Sequence, residues 1–166
     1  MNIRALLAAL FLGPLLAGVL AAPAQAADST KRETIRVYHE PVTPIAVSGS
    51  GIGEVRTFLI PMAVDGVARD GQYLSATLTT MATNMQGGQE LRASNLNFVF
   101  GAEEDQIVVG GVSLYPPAGA TLAPGTKTVR PVVGGSGKYD GARGQLISRN
   151  YGPDGWTHTF RISVLR

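Results

Sequence analysis

Residues 131–148, PVVGGSGKYDGARGQLIS, form the stretch of this chain that decides its fold. Five of the eleven residues from 134 to 144 are glycine, and each interior glycine destabilises a helix by about 1 kcal/mol relative to alanine. Apolar pairs flank them on both sides, Val132-Val133 and Leu146-Ile147. The stretch therefore predicts a strand, a tight turn and a second strand. The glycines of this stretch have a structural role, because they allow positive φ angles and close backbone approach. They are Gly134, Gly135, Gly137, Gly141 and Gly144.

Glycine clusters of another kind cradle phosphate groups. That motif requires a lysine followed by serine or threonine at the start of a helix. Here Lys138 is followed by Tyr139-Asp140-Gly141. The stretch is therefore interpreted as a hairpin.

Outward from this hairpin, short β-rich segments recur about every ten residues, separated by glycine and proline. We predict strands at 34–40, 55–64, 73–83, 91–101, 106–114, 127–133, 143–151 and 156–165. Pro61 predicts an edge, a bulge or a bend in the second of these. Asp65-Gly66 and Asp70-Gly71 predict turns between the second and the third. No segment after residue 26 has a convincing helical pattern.

This succession is typical of a sandwich or a barrel. Closure removes the exposed sheet edges that promote aggregation, and eight strands enclose room for side chains or one small ligand. We therefore predict an all-β, eight-stranded, antiparallel closed barrel at residues 34–166, preceded by a flexible lead-in at 27–33.

The first 26 residues have the features of a secretory signal peptide. A charged start at Arg4 precedes an apolar run from 5 to 22, and Ala24-Gln25-Ala26 forms a small-x-small cleavage site. A membrane anchor is the alternative, but Gly13, Pro14 and Gly18 interrupt the run. We expect cleavage before Ala27, a secreted or periplasmic protein, and no membrane contact afterwards.

Charge and cysteine content narrow the possible partners. Loss of Arg4 leaves 13 basic side chains against 12 acidic ones, without a long basic run. Such a chain lacks the footprint of nucleic-acid binding. With two histidines and no cysteine, we expect no metal site of the usual composition.

The glycine-rich stretch resembles a known signature. Gly134-Gly135-Ser136-Gly137 with Ala142-Arg143-Gly144 is similar to the Gly-Gly-Thr/Ser-Gly-x-Phe-x-x-Ala-Arg-Gly motif of plant dirigent proteins. It is equally similar to the corresponding segment of allene oxide cyclases. Val37-Tyr38-His39-Glu40 resembles the Tyr-x-His-Asp stretch that opens dirigent domains, with glutamate in place of aspartate.

The resemblance implies a secreted, bacterial-type member of this barrel superfamily, calycin-like in shape, that admits a hydrophobic small molecule. Dirigent proteins guide phenoxy-radical coupling or quinone-methide cyclisation without a cofactor, and allene oxide cyclases fold a reactive epoxide so that it closes stereoselectively. Both act by orientation. The resemblance also implies a homodimer or a homotrimer.

Glu40 and Arg143 are the catalytic candidates, because they match the dirigent strand-end carboxylate and the arginine of Ala-Arg-Gly. If both faced the barrel interior they would pair and contact a ligand oxygen. The alternative is that both are solvated surface residues. His39 is a further candidate, as a general base or as a structural histidine.

Ligand contacts are expected from residues that alternate with apolar ones or could stack on an aromatic ring: Tyr38, Tyr73, Asn95, Asn97 and Tyr115. The asparagines would line the cavity only if Leu96 and Phe98 faced outward; otherwise they form a polar exterior. The face of the last strand that begins with Trp156 and His158 is expected to be core.

Three functions remain open at this point. The first is a cofactor-free cyclase, isomerase or coupling guide for a hydrophobic or phenolic small molecule. The second is a non-catalytic carrier, and the third is a structural or interaction module. A cavity lined by a carboxylate and an arginine favours the first, a wholly apolar cavity the second, and a filled barrel the third.

Overall fold

The computed structural model of this protein describes residues 29–165. The predicted signal peptide and residues 27–28 lie outside the described residues. The strands are β1 (Thr30–His39), β2 (Ala46–Ser48), β3 (Val55–Val64), β4 (Val67–Ala82), β5 (Glu90–Phe100), β6 (Gln106–Tyr115), β7 (Lys127–Gly135), β8 (Arg143–Asn150) and β9 (Trp156–Leu165). Single-turn 3-10 helices lie at Gln86–Gly88, Gly137–Tyr139 and Gly152–Asp154. Within residues 29–165 there is no helix of the length and hydropathy needed to cross a membrane.

Antiparallel pairing closes eight of these strands into a ring. From β3 to β9 each strand pairs with the next along the chain, and β9 pairs with β1 over the whole length of both. The ring closes where β1 meets β3 at Val37 opposite Val64 and Tyr38 opposite Ala63. The short β2 pairs with the other end of β3. The predicted eight-stranded closed barrel is confirmed.

Two predicted boundaries are wrong. β1 begins at Thr30, inside the predicted lead-in, because residues 30–33 pair with residues 162–165 of β9. β4 begins at Val67 and runs through Asp70-Gly71, which the sequence predicts as a turn. Gly71 has a φ of 75°, and its carbonyl oxygen accepts a hydrogen bond from the amide of Gly101, at 3.2 Å, so the strand continues past it. The register of β3 shifts between Pro61 and Ala63, as the proline predicts.

The glycine-rich stretch forms the predicted strand, turn and strand. Its glycines lie where chain segments touch. A Cβ on Gly144, where φ is 145°, would lie 2.1 Å from the carbonyl oxygen of Arg161. A Cβ on Gly135 would lie 2.4 Å from the carbonyl oxygen of Tyr139. Only glycine fits such positions.

Every second side chain of each strand points inward, and large apolar side chains of this kind fill one half of the barrel. Side chains two residues apart point to the same face, so that Phe98, Phe100 and Phe160 all point inward. Phe98 packs edge to face on Phe160 with ring centroids 4.9 Å apart, and Phe100 contacts Tyr139 at 4.6 Å. Ile107 and Leu146, both fully buried, belong to the same core cluster as these rings. This half is solid, and the space that can hold a ligand lies in the other half.

Candidate functional site

The open half of the barrel holds a cavity of about 310 Å³. Its walls are largely apolar, from Phe58, Ile60, Leu74, Ala76, Leu78 and Leu96. Its polar lining includes His39, Arg56, Arg92, Tyr115, Arg130, Ser148 and His158, with Trp156 beside them. Residues 42–44, beyond the end of β1, also line it. An apolar pocket with a few convergent polar groups is the usual form of a small-ligand site.

Two of the arginines in the cavity wall are paired with carboxylates. Glu90 accepts from Arg92 Nη2 at 2.5 Å, and Arg92 is 1% exposed. The hydrogen bond and the charge of Arg92 lower the pKa of Glu90, so that the carboxylate stays ionised. Arg56 forms the second pair with Glu54, at 2.6 Å.

Arg130 has a different set of partners. It is 3% exposed, and its Nε donates to Ser94 Oγ at 3.0 Å, its Nη1 to Thr128 Oγ1 at 2.7 Å and its Nη2 to the Tyr115 hydroxyl at 3.0 Å. All three acceptors are neutral hydroxyls. Within residues 29–165 no salt bridge reaches this guanidinium.

Two histidines from adjacent strands meet in the same cavity. The rings of His39 on β1 and His158 on β9 have centroids 5.0 Å apart. His39 Nδ1 lies 2.7 Å from the carbonyl oxygen of Glu40. Because a carbonyl only accepts, Nδ1 carries the proton and Nε2 keeps its lone pair. Burial lowers the pKa of His39, against the opposing effect of that hydrogen bond, so the ring is a neutral proton acceptor.

The second histidine, His158, contacts a serine side chain. Its Nδ1 lies 2.8 Å from Ser148 Oγ, and its Nε2 is a buried polar atom without a hydrogen-bond partner in the described part of the chain. Burial lowers the pKa of His158 well below its usual range, and the charge of Arg130, like that of His39 when His39 is protonated, acts in the same direction. This ring is therefore neutral as well.

The predicted Glu40 and Arg143 pair is wrong. Both side chains are exposed. Glu40 follows the inward-facing His39 and so points the other way, and Arg143 has the opposite parity to the inward-facing Leu146 and Ser148. Arg143 Nη1 donates to the carbonyl oxygens of Ala142, at 2.7 Å, and Val133, at 3.3 Å, on the outside of the hairpin.

The other predicted contacts divide in the same way. His39 and Tyr115 line the cavity, whereas Tyr38, Tyr73, Asn95 and Asn97 do not. A catalytic role for His39 and a ligand contact for Tyr115 stay predictions. Leu96 and Phe98 are buried inward, so the asparagines belong to the outer surface. Tyr38 is 40% exposed on the outer face of β1.

The sequence reasoning missed Arg92 and Arg130 as cavity residues. A signal was present, because both share the parity of buried apolar positions: Arg92 with Leu96 on β5, and Arg130 with Val132 on β7. The last strand is core at Phe160, Ile162 and Val164 as predicted, but Trp156 and His158 line the cavity.

No family model matches this sequence, and no curated protein matches it. Solved structures do. Pyocyanin demethylase is 16% identical with a TM-score of 0.54, and the alignment covers 80% of this chain and 99% of that one. The pterocarpan synthase dirigent protein GePTS1 is 11% identical with a TM-score of 0.55, and the alignment covers 84% and 89%. These similarities show that the chain has a dirigent-like β-barrel fold. Secretion, the subunit number and the absence of a cofactor stay predictions.

Proposed function

We propose that this protein binds a hydrophobic, phenolic small molecule in the open half of its barrel and steers the cyclisation of that molecule. The observation that carries the proposal is the cavity itself, which has apolar walls and is also lined by buried arginines and histidines. A filled barrel would favour a scaffold, and a wholly apolar cavity would favour a simple carrier.

Size favours cyclisation over coupling. A volume of about 310 Å³ lies at the low end of the range for small-ligand sites, which suits one molecule of two or three rings better than two molecules at once. Trp156 and Tyr115 offer aromatic surfaces for such rings.

His39 supplies the chemistry. Its neutral Nε2 accepts the proton of a phenolic hydroxyl, the phenolate oxygen attacks an electron-poor carbon of the same molecule, and the imidazolium returns the proton to the carbanion that forms. The reaction is an isomerisation and needs no oxidant. General base catalysis of this kind contributes about 10²- to 10⁴-fold in rate, and the walls determine which face is attacked.

The single tryptophan of the chain, Trp156, lies in the cavity wall and therefore reports binding directly. We would titrate the protein with naphthol and follow Trp156 fluorescence. Ala76→Phe places a ring in the cavity and is expected to abolish binding. Ala93→Phe is the matched control, because Ala93 lies on the outer face of β5 beside Val112.

Steering is tested with an ortho-hydroxychalcone, which closes slowly and without selectivity to a racemic flavanone in buffer. With the protein present we expect an excess of one enantiomer on chiral chromatography. His39→Gln is expected to bind the chalcone normally and to lose the acceleration. Saturable binding with a racemic product at the background rate would contradict steering and support a carrier. Absence of any aromatic binding would contradict both.

A further inference from the structure

The charges around the cavity do not balance. Three arginines line it, and two are neutralised, Arg56 by a carboxylate at 2.6 Å and Arg92 by one at 2.5 Å. Arg130 is the third, and in the described part of the chain no carboxylate lies within ion-pair distance of it. Both histidines are neutral near pH 7, because burial lowers the pKa of each. The cavity wall therefore carries one net positive charge.

The surroundings of Arg130 position this charge without neutralising it. Hydroxyls from three strands, Ser94 on β5, Tyr115 on β6 and Thr128 on β7, accept one hydrogen bond from each guanidinium nitrogen. A guanidinium has five N–H groups, so one N–H remains on each terminal nitrogen. A guanidinium with one N–H left on each terminal nitrogen can bind the two oxygens of a carboxylate.

A buried charge without a counter-ion is unfavourable, and so is a buried polar atom without a partner. The same cavity contains an example of the latter, the Nε2 atom of His158. Two independent groups that line the cavity, the Arg130 guanidinium and His158 Nε2, thus lack a partner among residues 29–165.

We propose that the natural ligand is an aromatic acid, and that Arg130 binds its ionised carboxylate while the apolar walls and Trp156 hold its rings. The proposal deepens the proposed function and rests on it, since it concerns the same cavity. It assigns Arg130 the role of selecting the ligand and fixing which end of it enters first. His39 then accepts the proton of the hydroxyl at the other end of the ligand.

The test compares two ligands that differ only in charge, naphthoate and naphthamide, by Trp156 fluorescence at pH 7.5. We expect naphthoate to bind about 10- to 100-fold more tightly, the range for a hydrogen bond to a charged group. Arg130→Met is expected to reduce the preference for naphthoate to about twofold or less. Arg130→Lys keeps the positive charge but loses the paired N–H donors of the guanidinium, and it is expected to retain part of the preference. Arg161→Met is the control, because Arg161 is exposed on the outside of β9.

The outcomes separate this proposal from the proposed function. Equal binding of naphthoate and naphthamide to the wild-type protein would refute the aromatic acid and leave the aromatic site standing. A carboxylate preference that survives in Arg130→Met would refute the role of Arg130. If neither compound binds at millimolar concentration, the proposed function fails and this proposal fails with it. The comparison on the wild-type protein decides the charge preference even if Arg130→Met does not fold.

Discussion

Lowering the pH from 7.5 to 5.5 is expected to destabilise this protein through its two histidines. His39 and His158 are each 4% exposed, and burial lowers the pKa of both below the ordinary value of 6.5. In this pH range the unfolded chain therefore binds protons that the folded protein does not. The stability that the neutral rings contribute is complete above about pH 6.5 and is lost as the pH falls toward their folded-state pKa values.

The size of the loss follows from linkage. A histidine that stays neutral in the folded protein while its unfolded form titrates removes about 1.4 kcal/mol between pH 7.5 and pH 5.5. His158 has its pKa lowered further and is expected to supply this amount in full. His39, whose hydrogen bond to Glu40 opposes the effect of burial, supplies the same or less. The expected total therefore lies between about 1.4 and about 2.7 kcal/mol.

Urea unfolding followed by Trp156 fluorescence at pH 7.5, 6.5 and 5.5 measures this loss. Glu90 and Asp105 contribute little to the change, because their pKa values are lowered from ordinary values of 4.5 and 3.8, which already lie below this pH range. His158→Asn serves as the variant, and its stability is expected to depend less steeply on pH than that of the wild type, whatever its absolute value. A wild-type stability that is constant over this range, or that rises on acidification, would refute the neutral buried histidines.

Three further predictions concern the frame of the barrel, and urea unfolding measures each of them. Gly144→Ala is expected to prevent folding or to destabilise the protein by several kcal/mol, because its Cβ would lie 2.1 Å from a backbone oxygen. Gly134→Ala in the same hairpin is the control, and with its nearest neighbour at 3.7 Å it should change stability by less than about 1 kcal/mol. Similar losses in the two variants would contradict the argument. Glu90→Gln leaves the charge of Arg92 buried without its partner, so we expect a loss of about 3–5 kcal/mol; a loss under about 1 kcal/mol would mean that the pair is solvated. Phe160→Ala removes a fully buried ring and is expected to destabilise the protein by about 3–5 kcal/mol. The variant should still bind naphthol. Loss of binding without loss of stability would contradict the separation of the barrel into a solid and an open half.

The period-two patterns and the glycine and proline breakers of the sequence predicted the strands, and a barrel was chosen over a sandwich because closure removes exposed sheet edges. These signals are local. A β-rich segment such as 55–64 or 156–165 forms a strand wherever it lies, and Gly144 permits a close backbone approach in any hairpin of this geometry. The ends of the strands were predicted less accurately than the strands themselves. At Asp70-Gly71, the hydrogen bond between Gly71 and Gly101 keeps β4 extended in spite of a local turn signal.

The candidate site depended on the tertiary structure. Parity along a strand predicts that Arg130 and Leu96 share the interior, but it does not tell which half of that interior stays empty, because this depends on the summed volumes of side chains from eight strands. Nor does it tell which arginines are neutralised. Glu90 reaches Arg92 within one strand, whereas Arg130 meets hydroxyls brought from two other strands. Sequence patterns thus determined the strands of the barrel, since each strand is specified by its own residues, and three-dimensional packing alone decided the site, since its charge and shape are properties of neighbours far apart in the chain.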